Sequence, residues 1–132
     1  MGTWTPEEQK AHRRLWVEAL RSGKYPQGQG GLRDRDDKFC CLGVLADIAG
    51  CEWVPANHYD GYYDADGDRI TAPQSAMEFV GLAERGGSFK GTDAFGSRNS
   101  LWRFNDNGDS FADIADIIES EPPGLFIEGR SP

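Results

Sequence analysis

Cys40 and Cys41 are adjacent, and Cys51 follows ten residues later. Cys40 stands where a glycine-rich, charged stretch gives way to the apolar run Cys41-Leu42-Gly43-Val44-Leu45-Ala46. A thiol at the start of a helix is placed for nucleophilic chemistry, because the helix N-terminus lowers its pKa. It would need a base, and His58 is the only plausible one besides His12. Asn57, Asn105 or Asp106 could orient that base. A cysteine-dependent hydrolase or transferase built on Cys40, His58 and Asp106 is therefore one reading. The simpler reading is that Cys is a small apolar side chain in a buried run. We assign no catalytic residue on sequence grounds.

Other constellations weaken on inspection. Cys40, Cys41, Cys51 and His58 match the ligand count of a zinc site. Adjacent cysteines are poor co-ligands, however, and no pair separated by two residues is present. Asp64-Ala65-Asp66-Gly67-Asp68 begins like a calcium loop, but Arg69 takes the sixth place, where Gly belongs. Ser75 takes the twelfth, where Glu belongs. Asn105-Asp106-Asn107-Gly108-Asp109 fails similarly, with Asp116 in the twelfth place. Neither a metal nor a cofactor is expected. Gln27-Gly28-Gln29-Gly30-Gly31 could approach a phosphate, so a binder of a nucleotide signal stays open. It lacks the Lys-Ser/Thr ending of a P-loop, and no helix follows at once.

Binding chemistry is better represented. Trp53, Tyr59, Tyr62 and Tyr63 sit with Asp64 and Asp66 in a segment without core periodicity. Tyr and Trp are favoured interface anchors, and these six residues are the expected recognition surface. Asp34, Asp36 and Asp37 form one acidic group, and positions 60–68 form another. Spaced carboxylates can imitate DNA phosphates, although Arg33, Arg35 and Lys38 dilute the first group.

The elements that must hold these residues are readable in places. Thr5-Pro6-Glu7-Glu8 carries an N-cap, a proline at the first helical position and a capping-box Glu. Leu15, Trp16, Ala19 and Leu20 recur at helical spacing and predict a helix over 6–21. A hairpin is expected with 30–33 pairing to 38–40. A buried helix follows over 41–49 and stops at Gly50. Strand-like stretches at 53–55 and 58–63 lead to a turn at 64–68 and a returning segment at 69–71. Positions 73–80 read as a short helix closed by Gly81. Positions 84–100 read as loop, and 101–105 as a strand or one helical turn. Ser110 caps a last helix in which Phe111, Ile114, Ala115 and Ile118 share a face. Its start resembles the first helix of a DNA-reading helix-turn-helix, but no basic second helix follows.

The composition sets bounds. The chain has 132 residues, of which 38% are hydrophobic and 17 are glycine. That suits one domain with a modest core. The formal net charge of -8 argues against direct nucleic-acid contact and against an anionic membrane surface. No run of about 18 apolar residues suggests a membrane span. Three cysteines without a visible signal peptide point to reduced thiols in a cytoplasm. The expected fold is α+β, with three or four helices on a small, mostly antiparallel sheet. One domain is expected over 1–121. A flexible tail is expected over 122–132, where Ile127-Glu128-Gly129-Arg130 is also a common engineered protease site.

Two blocks carry a family resemblance. The first runs from Trp16-Val17-Glu18-Ala19-Leu20-Arg21-Ser22-Gly23-Lys24-Tyr25-Pro26-Gln27-Gly28 on to Phe39-Cys40-Cys41-Leu42-Gly43-Val44-Leu45-Ala46-Asp47. The second is Phe104-Asn105-Asp106-Asn107-Gly108-Asp109-Ser110-Phe111-Ala112-Asp113-Ile114-Ala115-Asp116-Ile117-Ile118-Glu119. Together they cover about half of the chain and resemble a family of small phage and prophage proteins, many from actinobacterial hosts. The middle, 51–100, has no counterpart in that pattern. The resemblance implies a phage accessory protein in the cytoplasm of an infected bacterium, and it supplies no mechanism. The reading adopted is a non-enzymatic protein that binds and inhibits a host defence or housekeeping factor by occlusion. The alternatives are the Cys40–His58 enzyme, a nucleotide-signal binder and an acidic DNA mimic.

Overall fold

The computed structural model describes residues 4–56, 61–90 and 98–127. Helix α1 spans Pro6–Arg21 and begins as its sequence dictates: the Thr5 hydroxyl accepts from Glu8 N–H, and the Glu8 carboxylate accepts from Thr5 N–H. Its buried face is Arg13, Trp16, Val17 and Leu20. Helix α2, Cys41–Ile48, is buried through its first six residues. Gly43 on this helix lies against Leu32; a Cβ there would overlap the Leu32 carbonyl. The missing side chain is what lets the 31–33 backbone cross α2 so closely.

Strands β1 (Arg33–Asp34), β2 (Trp53–Pro55) and β3 (Tyr62–Ala65) form an antiparallel sheet in the order β1-β3-β2. Arg33 stands opposite Tyr63, and Trp53 opposite Ala65. Helix α3 spans Gln74–Val80 and ends at Gly81, whose φ of 77° is the left-handed conformation that closes a helix. Strands β4 (Ser88–Lys90) and β5 (Arg98–Ser100) pair antiparallel as a second small sheet. Helix α4 (Leu101–Asp106) leads into α5 (Phe111–Ser120), which Ser110 caps through Asp113 N–H.

Helix α1 is the hub of the helical layer and packs on α5, α3 and α2. Its side chains also finish α3. Gln9 Nε2 donates to Glu78 O, Arg13 Nε donates to Val80 O at 2.7 Å, and His12 Nδ1 lies 2.6 Å from Phe79 O. The last carbonyls of α3, which have no partner inside their own helix, are thereby satisfied from outside. Trp16, with no exposed surface, donates its indole N–H to Cys41 O at 3.0 Å and ties α1 to α2.

The α+β expectation holds as a single compact domain, with five helices among the described residues rather than three or four. Several local expectations change. The turn at 34–38 forms, with Asp34 N–H on Lys38 O and Cys40 N–H on Leu32 O. Arg33 bridges antiparallel to Phe39 across that turn, so the expected hairpin is present, and β1 pairs in addition with β3, a partner the sequence did not indicate. Positions 69–71 do not return as a strand, because Ala65 and Asp68 close a tight turn and Arg69 O accepts from Leu32 N–H. The expected loop at 84–100 contains β4 and β5. Residues 122–127, placed by sequence in a flexible tail, join the domain. Leu125 and Phe126 lie in the core, and Ile127 N–H donates to Gly81 O. Two apolar residues after a Pro-Pro-Gly turn are too short a signal to read as core.

Candidate functional site

The proposed nucleophile is where the sequence placed it, at the N-cap of α2, but it is shut in. Cys40 is 3% exposed and Cys41 has no exposed surface. Burial pushes the Cys40 thiol up to about 12; the backbone amides of Gly43 and Leu42 draw it down only in part, and the Asp106 charge raises it further. Burial also drives Cys41 well above its ordinary value. A thiol kept protonated at neutral pH is not a nucleophile. Asp106 is engaged elsewhere, its Oδ1 accepting from Gly30 N–H at 3.2 Å. His58 lies outside the described residues. Cys51 is 9% exposed, raised to about 11 by burial, and its sulfur lies 3.4 Å from Ser75 Oγ. All three thiols are free.

Asn105 instead organises this region. It has no exposed surface, and its Oδ1 accepts from Gln27 Nε2 at 2.9 Å and from Cys41 N–H at 3.2 Å. Its Nδ2 donates to Gly28 O at 2.7 Å. Thus the glycine-rich segment is stitched to the 105–109 turn and to the start of α2. Gly28 N–H is spent on Phe39 O and Gly30 N–H on Asp106, so these amides are not arrayed for a phosphate. Sequence reasoning named Asn105 only as an orienting group. Its burial came from long-range packing and had no local signal.

Of the expected recognition residues, Tyr59 lies outside the described residues, and the other five cluster on and beside the β1-β3-β2 sheet. Trp53 is half-buried and donates its indole N–H to Asp47 Oδ1 at 3.0 Å. The Tyr25 hydroxyl donates to the other oxygen of Asp47 at 2.6 Å. Burial, with that bond to Asp47 next, pushes Tyr25 up to about 12. Phe39 stands edge-on between these rings, 5.0 Å from Tyr25 and 5.9 Å from Trp53.

The residue that sequence reasoning passed over is Arg33. Its guanidinium lies 4.4 Å from the Tyr63 ring centre, 5.3 Å from Trp53 and 5.5 Å from Phe39. Asp37, with φ of 61°, holds it in place by accepting from Nε at 3.0 Å and Nη2 at 2.7 Å. Exposed Arg35 stands 5.5 Å from the same Tyr63 ring. Tyr62 covers the Gly30-Gly31 backbone, where an added Cβ would strike its ring. Of the acidic pair, Asp64 is half-buried opposite Val54. Asp66 is a staple: it accepts from Glu52 N–H at 2.8 Å and from the Ser75 hydroxyl at 2.8 Å. Those bonds, with Glu52 N–H first, hold its carboxyl below the ordinary range. Asp34 likewise accepts from Asp36 and Lys38 N–H groups, so part of the acidic surface is turn architecture.

Among the described residues, no group of three or more His, Cys, Asp or Glu side chains is arranged to hold a metal. No helix among them is long and apolar enough to cross a membrane. Residues 8–122 match the family described as a domain of unknown function (DUF8296), and the chain belongs to that family. No curated protein and no solved structure matches the chain.

Proposed function

We propose that this member of the DUF8296 family is a non-enzymatic binding protein that occludes a host protein, using the β1-β3-β2 face for recognition. The observation that carries this reading is the Arg33 cluster: one guanidinium against three aromatic rings, with Arg35 beside the outermost. Aromatic and Arg side chains dominate interface energetics, and fixing them before binding lowers the entropy lost on association. The buried thiols favour this reading over cysteine chemistry. The phage origin rests on the two sequence blocks, and the cytoplasmic site of action rests on the three free thiols.

The test is affinity capture of the tagged protein from an actinobacterial lysate, alongside Arg35→Glu/Tyr63→Ala and Cys40→Ser. The expected result is one protein retained at equal stoichiometry by wild type and Cys40→Ser, and lost by the surface variant at unchanged helicity. Equal capture by the surface variant would move the interface elsewhere. Loss of all effect in a folded Cys40→Ser protein would establish cysteine chemistry instead.

A further inference from the structure

Along α1, Lys10, Arg14, Glu18 and Arg21 follow one another at about one-turn spacing beside α5. They wall a groove of about 390 Å³ whose floor includes Val17 and Ile118. A second hollow of about 400 Å³ shares Lys10 and Arg13 with it and is edged by Ile127, which is 62% exposed. Cavities of this size take a few side chains of a ligand. Two of the four cations are already neutralised. Arg13 Nη1 meets Glu121 at 3.2 Å, and Arg21 Nη2 meets Asp116 at 2.6 Å and Glu119 at 3.0 Å. The Lys10 and Arg14 side chains are exposed and make no ion pair among the described residues. Two uncommitted cations one turn apart, over an apolar floor, stand out in a chain of net charge -8.

We propose that this groove binds a short acidic peptide of a partner protein. One carboxylate sits between Lys10 and Arg14, and apolar side chains lie over Val17, Ile118 and Ile127. Charge pattern selects the occupant. Glu18, Glu119 and Glu121 stand in the same walls and would repel a continuous run of phosphates. A peptide can place one carboxylate at the two free cations and neutral groups elsewhere. The groove shares no residue with the sheet face, so it stands or falls separately from the host-protein reading above.

The test uses the full chain and a yeast-displayed random 12-residue peptide library. Wild type should enrich clones that combine Asp or Glu with Leu, Ile or Met. Lys10→Glu/Arg14→Glu, with circular dichroism melting to verify its fold, should bind them about tenfold more weakly. Changing the enriched carboxylates to amides should weaken wild-type binding to the same degree. The proposal is overturned by no enrichment, by enrichment without acidic bias, or by equal binding to the folded variant. It is also overturned if a 12-nucleotide single-stranded DNA competes better than the peptides, which would make the groove a nucleic-acid contact.

Discussion

The side-chain oxygen of Asn105 accepts the backbone N–H of Cys41 across 64 intervening steps of chain, at 3.2 Å in a fully buried setting. That bond joins the two recognisable sequence blocks. It also explains why the start of α2, so suggestive of a reactive thiol, is sealed: the turn that could have oriented a catalytic base closes over it.

Asn105→Ala should therefore be among the most destabilising single changes. It leaves Gln27 Nε2, Cys41 N–H and Gly28 O short of a buried partner. The expected cost is about 3 kcal/mol, because unsatisfied buried polar groups bear their full desolvation penalty. A drop in Tm of roughly 10 °C measures it. A change under 2 °C would mean that water replaces the amide without penalty.

Gly43→Ala separates helix propensity from packing. On propensity alone Ala is better in mid-helix by about 1 kcal/mol. Here its Cβ would overlap the Leu32 carbonyl, so the sign reverses and the variant should lose about 3 kcal/mol or fail to fold. Urea unfolding of this variant beside wild type decides between the two.

The buried thiols predict both reactivity and pH dependence. Iodoacetamide at pH 8 should leave Cys40 and Cys41 unmodified in the native protein and label both in urea. Cys40 rises from an ordinary 9.0 to about 12 on folding, and Tyr25 rises from 10.0 to about 12. The unfolded chain thus releases these protons first. Their contribution to stability is whole below about pH 9 and is lost as pH climbs toward about 12. Tm measured from pH 7 to 11 should fall above about pH 9, and less steeply in Cys40→Ala.

Arg13 predicts a contrast between two ends of one ion pair. Its side chain is 9% exposed, donates to Val80 O and lies 4.0 Å from the Phe126 ring centre, whereas the Glu121 side chain is 45% exposed. Arg13→Ala should cost about 2–3 kcal/mol through the lost α3 cap and ring contact. Glu121→Gln should cost under about 1 kcal/mol, as exposed ion pairs do. Equal losses in denaturant titration would place the energy in the ion pair itself.

Local chemistry was legible. The capping box at Thr5 and Glu8, the Ser110 cap, the Gly81 stop and the apolar run of α2 are written within a few neighbouring residues, and all four took the form expected. Covalent neighbours set those structures, because capping bonds and helical faces reach only three or four positions along the chain. What the sequence could not decide was partnership between distant segments: β1 with β3, Arg33 among three rings, Asn105 under α2, Leu125 and Phe126 inside the core. Each depends on which surfaces meet when the apolar faces bury together, and burial is a property of the packed whole. The same cysteine reads as a nucleophile beside a helix N-terminus and as a core side chain once desolvated. Only the tertiary structure chose between them, because it sets whether water reaches the sulfur.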